Sequence, residues 1–217
     1  IRSWENAALQ TPYIRLFEEA QALLVEPYWS EAEKIAAVQD ISLTDVQNFI
    51  PELLSSLRLD MLYHGNVVPE DASTMLAVVQ RYLTADAAAA MPSYGTVVKM
   101  PAQTRVVQEL QIDHDDSAIV IYQQGRDDSL HTRAIMQLLG TVLANPFYEK
   151  LRTDLQLGYI VNAGAFSLLD TSGLIMYIES PVADPLVLEA NIDAFLASFT
   201  QELKQMDEAA FNDIKSG

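Results

Sequence analysis

The sequence predicts an α+β protein made of two α/β sandwich subdomains, with mainly antiparallel sheets and helices packed on one face. Three observations predict it. The first third of the chain is dominated by apolar residues at helical spacing. After a Pro- and Gly-containing stretch the order becomes strand, strand, helix, strand, strand, helix, helix. Short polar turns join the strands of each pair, which favours antiparallel hairpins with helices laid across them. Half of the 217 residues are hydrophobic and 20% are charged, so there is ample apolar material for a core.

Taken in order, Ser3 to Gln10 and Pro12 to Leu24 carry helical periodicity, with Ile14, Phe17, Ala20 and Leu24 on one face. Ser30-Glu31-Ala32-Glu33 and Ser42-Leu43-Thr44-Asp45 read as capping boxes, so a helix starts at each, the second passing Phe49 and Leu53 despite Pro51. Leu57 to His64 alternates, with Leu62 as the exception, and reads as a half-buried strand closed by Gly65-Asn66. Pro69 starts a helix striped with Ala72, Met75, Val79 and Leu83. Ala85 to Gly95, with Pro92, reads as a linker.

Beyond it, Val106 to Ile112 and Ala118 to Gln123 read as strands around the turn His114-Asp115-Asp116. A long helix starts near Ser129 and presents Ile135, Leu138, Leu139, Val142 and Leu143; Asn145-Pro146 is expected to interrupt it and Phe147 to Arg152 to restart it. Tyr159 to Ser167 and Gly173 to Ile178 form a hairpin. Asp184-Pro185 is a capped helix start, continued by Leu188, Ile192, Phe195, Phe199 and Leu203, and Asp207 caps a last helix through Phe211. The beginning at Ile1 and the end at Gly217 read as cuts from something longer.

Thirty acidic residues face 13 basic ones, a net charge of −17, which disfavours nucleic acid as a partner. No apolar run is long enough to span a membrane. With no cysteine there is neither a thiolate nucleophile nor a Cys-zinc site. His64, His114 and His131 are scattered; none has a second ligand at metal-binding spacing, and H-x-x-E-H, H-E-x-x-H, G-x-S-x-G and phosphate-loop signatures are absent. The turn at His114 to Asp116 could at most hold an adventitious cation. The segment therefore carries no catalytic residue set and no metal site of its own.

One stretch concentrates unusual residue types: Pro146 to Val161 runs from a helix end through a turn into a strand. Arg152 closes the helix where a cation suits the dipole, Gly158 permits a tight or positive-φ turn, and Tyr159 opens the strand. Two readings stand side by side. Arg152 caps and Tyr159 packs, or the two are a donor pair for a peptide carbonyl or developing oxyanion.

The string Leu151-Arg152, Gln156-Leu157-Gly158-Tyr159 and Val161 resembles the L-R-x-x-x-Q-L-G-Y-x-V stretch of the insulinase/pitrilysin zinc metallopeptidase family, in its non-catalytic C-terminal half. Ser42 to Asn66 and the acidic helix Glu202 to Phe211 are similar to the same family. The resemblance implies that residues 1–90 are the C-terminal part of a third peptidase-like domain and 91–217 most of a fourth, truncated at its end. It implies a parent that hydrolyses peptides with zinc held by an N-terminal catalytic half of the same polypeptide, this half enclosing the substrate. Arg152 and Tyr159 are then substrate-binding residues, peptide is the partner, and the place is a bacterial periplasm, otherwise the cytoplasm. A partner subunit of the processing-peptidase kind, or a peptide-binding module using a free sheet edge, are the alternatives.

Metal analysis after dialysis is expected to find no stoichiometric zinc on this chain alone, and assays no peptide cleavage. One tightly held zinc per chain would overturn the reading.

Overall fold

A computed structural model describes residues 11–55, 57, 59–81, 83 and 95–216. The helix expected at Ser3 to Gln10 and nearly all of the linker expected at Ala85 to Gly95 lie outside these residues. The chain divides into two compact units, one of residues 1–31 with 95–217, the other of residues 32–94. The helix Pro12–Leu24 thus groups with the later segment.

The first unit is organised by its most apolar strand. β4 (Ile160–Leu168) and β5 (Thr171–Ser180) pair antiparallel around the two-residue turn Leu169-Asp170, and β3 (Ser117–Gln124) takes the other edge of β5, giving the order β3-β5-β4. Side chains alternate across the sheet. Val161, Ala163, Met176 and Ile178 face one side with Ile119 and Ile121; Phe166, Tyr177 and Tyr122 face the other. Both sides of β5 are covered, which is why it reads as a continuous apolar run.

Two helices fill the first side, as expected from the sequence. α5 (Leu130–Tyr148) starts at Ser129, whose hydroxyl accepts from the Thr132 N–H at 3.2 Å. It contributes Leu143 and Phe147. α6 (Pro185–Gln205) starts at Asp184, whose carboxylate accepts from the Val187 N–H at 2.9 Å, and contributes Leu188, Ile192, Phe195 and Phe199. Phe147 meets Phe195 edge-on at 5.4 Å. A last helix, α7 (Glu208–Ser216), is capped by Asp207, which accepts from the Ala210 N–H at 2.8 Å.

The second side is covered by α1 (Pro12–Leu24). Tyr13 stacks on Tyr177 at 5.5 Å, while Phe17 meets Tyr177 and Phe166 edge-on at 5.1 and 5.8 Å. Beyond α1, β1 (Val25–Glu26) pairs with β2 (Thr96–Val97). This aromatic layer makes the unit helix-covered on both faces of its sheet.

Three expectations change. Pro146 stays inside α5, which continues to Tyr148 and then widens into a π-helical turn, Glu149–Asp154. Phe147 and Leu151 are both fully buried in one core, so packing on either side carries the helix past the missing N–H. Val106 to Ile112 forms no regular strand among the described residues; Val106 and Val107 are 62% and 65% exposed, and alternation without a neighbouring strand makes no ladder. Among the described residues of Leu57 to His64, only Leu57 enters an isolated bridge.

The second unit holds α2 (Glu31–Gln39) from Ala32 onward, α3 (Leu43–Ser55) and α4 (Pro69–Gln80). The capping box at α3 is formed as expected: the Asp45 carboxylate accepts from the Ser42 N–H at 2.8 Å and the Ser42 hydroxyl accepts from the Asp45 N–H at 3.2 Å. The Ser42 hydroxyl also donates to this carboxylate at 2.6 Å, and that bond first, the Ser42 N–H second, holds the Asp45 carboxyl below its ordinary range. None of the described residues in these helices is buried, and Phe49, Ile50 and Leu53 on α3 stand exposed.

The contact of α5 with β4 depends on Gly140, where an added Cβ would lie 2.2 Å from the Ala165 nitrogen. Gly140→Ala is expected to destabilise by about 1–3 kcal/mol. Gly164, with nothing within 4 Å of such an atom, should accept alanine with a gain of about 0.4–1 kcal/mol. Chemical denaturation of the two variants checks the contrast.

Candidate functional site

Arg152 and Tyr159 lie on the connection from the π-helical turn to β4, and local geometry fixes that connection tightly. The Leu157 N–H donates to the Leu151 carbonyl at 3.0 Å, folding the chain back on the turn. The left-handed conformation falls on Gln156, at φ 51°, rather than on Gly158 as the sequence led one to expect. Gly158 is needed for another reason. It lies so close to β5 that a Cβ would sit 2.2 Å from the Glu179 carbonyl oxygen, leaving no room for any side chain.

That close approach sets Tyr159 beside the end of β5. The residue is 48% exposed, yet its hydroxyl lies within bonding distance of two carboxylates. It donates to Glu179 on β5, and Asp116, just before β3, stands 2.8 Å away as a second acceptor. A phenol has one proton, so it serves only one of them at a time. Glu179 is fully buried, and its other carboxylate oxygen accepts the Tyr13 N–H at 3.0 Å, in the first turn of α1. A carboxylate at a helix N-terminus meets unsatisfied amides and the positive end of the dipole.

The two carboxylates push the Tyr159 pKa well above the ordinary tyrosine range, Glu179 first through its hydrogen bond and Asp116 next. Tyr159 is therefore a neutral hydrogen-bonding group throughout the physiological range, neither a phenolate nor a general base. Arg152, partly buried, has no hydrogen-bond or ion-pair partner among the described residues. It is not bonded to Tyr159.

The remaining candidates stay apart. His114 accepts the Asp116 N–H through Nδ1 at 3.0 Å, and His64 and His131 are exposed. Among the described residues no group of three His, Cys, Asp or Glu side chains could hold a metal ion, so these residues do not fit a zinc site. A groove of about 290 Å³ lies against α1, lined by Leu16, Leu23, Met100, Val106 and Tyr122 among others, and neither Arg152 nor Tyr159 lines it. Among the described residues no helix is long and apolar enough to cross a membrane.

Sequence reasoning missed Glu179 and Asp116 as partners of Tyr159. Glu179 did carry a signal: it is a carboxylate closing the run Leu174 to Ile178, on a strand buried on both faces. Asp116 carried none, since a turn acid is ordinarily a solvated one.

Residues 138–217 match the family model for PQQ synthase PqqF-like, C-terminal lobe domain 4. The chain is 30% identical over 224 residues to the insulin-degrading enzyme of Homo sapiens, covering 97% of this chain and 21% of that protein. To a nardilysin-like protein of Arabidopsis thaliana it is 26% identical over 212 residues, covering 94% of this chain and 20% of the other. The crystal structure of pitrilysin superposes with a TM-score of 0.82 at 25% identity, over 99% of this chain and 23% of that one. The chain thus spans about a fifth of the length of the curated relatives it matches.

The raised Tyr159 pKa has a pH signature. Because the folded value exceeds the unfolded one, the stability from these bonds is fully present below the unfolded tyrosine pKa of about 10 and is lost as pH rises beyond it. Tyr159→Phe should therefore cost stability at neutral pH, and the difference from wild type should shrink above about pH 10. Thermal melts along a pH series check this; a constant difference throughout would refute it.

Proposed function

The chain is homologous to the C-terminal region of the insulinase-family zinc peptidases, and on that premise we propose that it encloses and positions peptide substrate for a catalytic half elsewhere in its parent protein. Zinc held in that other half would supply an activated water. The residues of this chain would do the holding. Arg152 and Tyr159, on one rigid connection, would hydrogen-bond the backbone of the peptide being cleaved, fixing its orientation beside the reacting bond.

The observation that carries this reading is the unequal treatment of the two side chains. The Arg152 guanidinium is left without a partner among the described residues, in a chain where carboxylates outnumber cations. Tyr159 is half exposed, while its hydroxyl is anchored from beneath by a buried carboxylate. A purely structural pair has no need of a free fork of five donors next to an anchored phenol. The exposed apolar face of α3 supports the companion proposal that the second unit is the end of a domain whose remainder lies outside this chain.

In the full-length parent, Arg152→Ala should lower kcat by about 10²–10³ if the guanidinium stabilises the developing oxyanion. Tyr159→Phe should lower kcat/KM by roughly tenfold, the worth of one hydrogen bond. The double variant should lose less than the product of the two, since both act on one peptide unit. Peptide-cleavage kinetics alongside melts decide it. Wild-type kcat/KM in Tyr159→Phe would leave the residue as structure only.

A further inference from the structure

Val182 and Leu186 are 74% and 73% exposed, although the backbone carrying each of them is firmly held. Val182 lies in the turn that leads from β5 into α6. The Ser180 hydroxyl, on a buried residue, accepts the Val182 N–H at 3.1 Å and the Ala183 N–H at 2.9 Å, so the turn is clamped from its base. Leu186 follows Pro185 in the first turn of α6, which Asp184 caps. Apolar residues exposed singly need no explanation. These two stand four positions apart on one short fixed stretch, whose core positions are already taken by Ala183 and Leu188. Packing within the unit therefore gives no reason for either to be apolar.

Three observations place this stretch beside the connection that carries Arg152 and Tyr159. Ile160 pairs with Glu179, so Tyr159 stands level with Ser180, the residue that clamps the turn. Leu157 from the connection and Ala183 from the turn pack on the same core, with Leu151 and Leu188 inside it. α6 itself packs against the π-helical turn that includes Arg152. We propose that Val182 and Leu186 are specificity residues: an apolar side chain of the bound peptide lies on them, next to the peptide unit that the connection holds. This deepens the proposed function and rests on it. The occupant is the substrate itself, because the two residues continue the surface that contacts it. Its class is a peptide with an aliphatic or aromatic side chain at that one position. A polar side chain there gains nothing from leaving water, and in a chain of net charge −17 an acidic one is repelled as well.

The test uses the full-length parent and fluorogenic peptides in which each residue around the scissile bond is in turn leucine or serine. The quantity read is the leucine-over-serine ratio of kcat/KM at each position. With Val182→Ser and Leu186→Ser combined, that ratio should fall at one position by roughly 4- to 15-fold, the worth of one or two methylene groups removed from water. A ratio unchanged at every position would overturn the proposal. So would a loss shared equally by leucine and serine peptides, since the two residues would then be packing against another part of the parent.

A second variant separates contact from damage to the fold. Leu186→Glu should turn the preference at the same position from leucine towards lysine by roughly 10-fold, a gain that a weakened structure does not produce. A lowered leucine ratio with no gain for lysine would overturn direct contact. Arg152→Ala and Tyr159→Phe are run on the same peptides. If both keep wild-type kcat/KM throughout, the proposed function itself falls. If they lose activity while the leucine ratio survives in the Val182 and Leu186 variants, only the specificity role falls.

Discussion

Burying a carboxyl group in a protein interior is tolerated only when hydrogen bonds replace the water it has lost. Glu179 sits in that position, at the end of the strand around which the first unit is built, and the rest of the unit can be followed outward from it. Its two oxygens are satisfied from opposite directions. The backbone at the start of α1 serves one and the phenol at the start of β4 serves the other. The carboxylate thereby ties together three parts of the chain that lie far apart in sequence. It also explains why α1, which opens the described chain, packs on a sheet formed at its far end. The aromatic contacts of Tyr13 and Phe17 with Tyr177 supply the apolar area, and Glu179 supplies the register.

The same strand end explains the shape of the Arg152–Tyr159 connection. Gly158 must touch the Glu179 backbone for the Tyr159 hydroxyl to reach the Glu179 side chain, and no residue with a Cβ permits that approach. On the other side of the connection, Leu151 must stay in the core with Phe147 while the helix passes Pro146. The π-helical turn reconciles the two demands. Widening the last turn changes where Arg152 points relative to a regular helix, without surrendering the burial of Leu151. Both candidate residues are thus placed by packing and backbone contact rather than by a loop free to adjust, which is the condition under which a binding geometry holds.

Much of this was legible in the residues alone. The caps at Ser42, Ser129, Asp184 and Asp207 are local signals, each a hydroxyl or carboxylate facing amides within three residues, and all four formed. The hairpin of β4 and β5 and the stripe of α6 follow from periodicity. The failures lie where the deciding partner is distant. Val106 to Ile112 alternates like a strand, but no sequence pattern says whether a neighbour will be present to pair with it. Pro146 reads as a breaker unless one knows that Phe147 and Leu151 share a core. At the candidate site the resemblance located Arg152 and Tyr159, and physics on one sequence could not separate capping from binding. The carboxylates that set the hydroxyl's behaviour come from 20 and 43 positions away, which no local spacing encodes.

Charge gives the last step. In a chain of net charge −17 an arginine finds a carboxylate readily, and Arg15, Arg105, Arg126 and Arg133 each do. Arg152 does not among the described residues, although Asp154 is close in sequence; that acid is engaged by Lys150 at 3.3 Å. The Lys150–Asp154 pair is exposed and contributes little stability by itself. Its consequence is to engage a carboxylate two residues from Arg152, so that the guanidinium keeps its donors available. Near Tyr159 the arrangement is reversed, with two acids converging on one proton. An unpaired cation and an over-supplied phenol on the same short connection are opposite departures from the average surface of this protein.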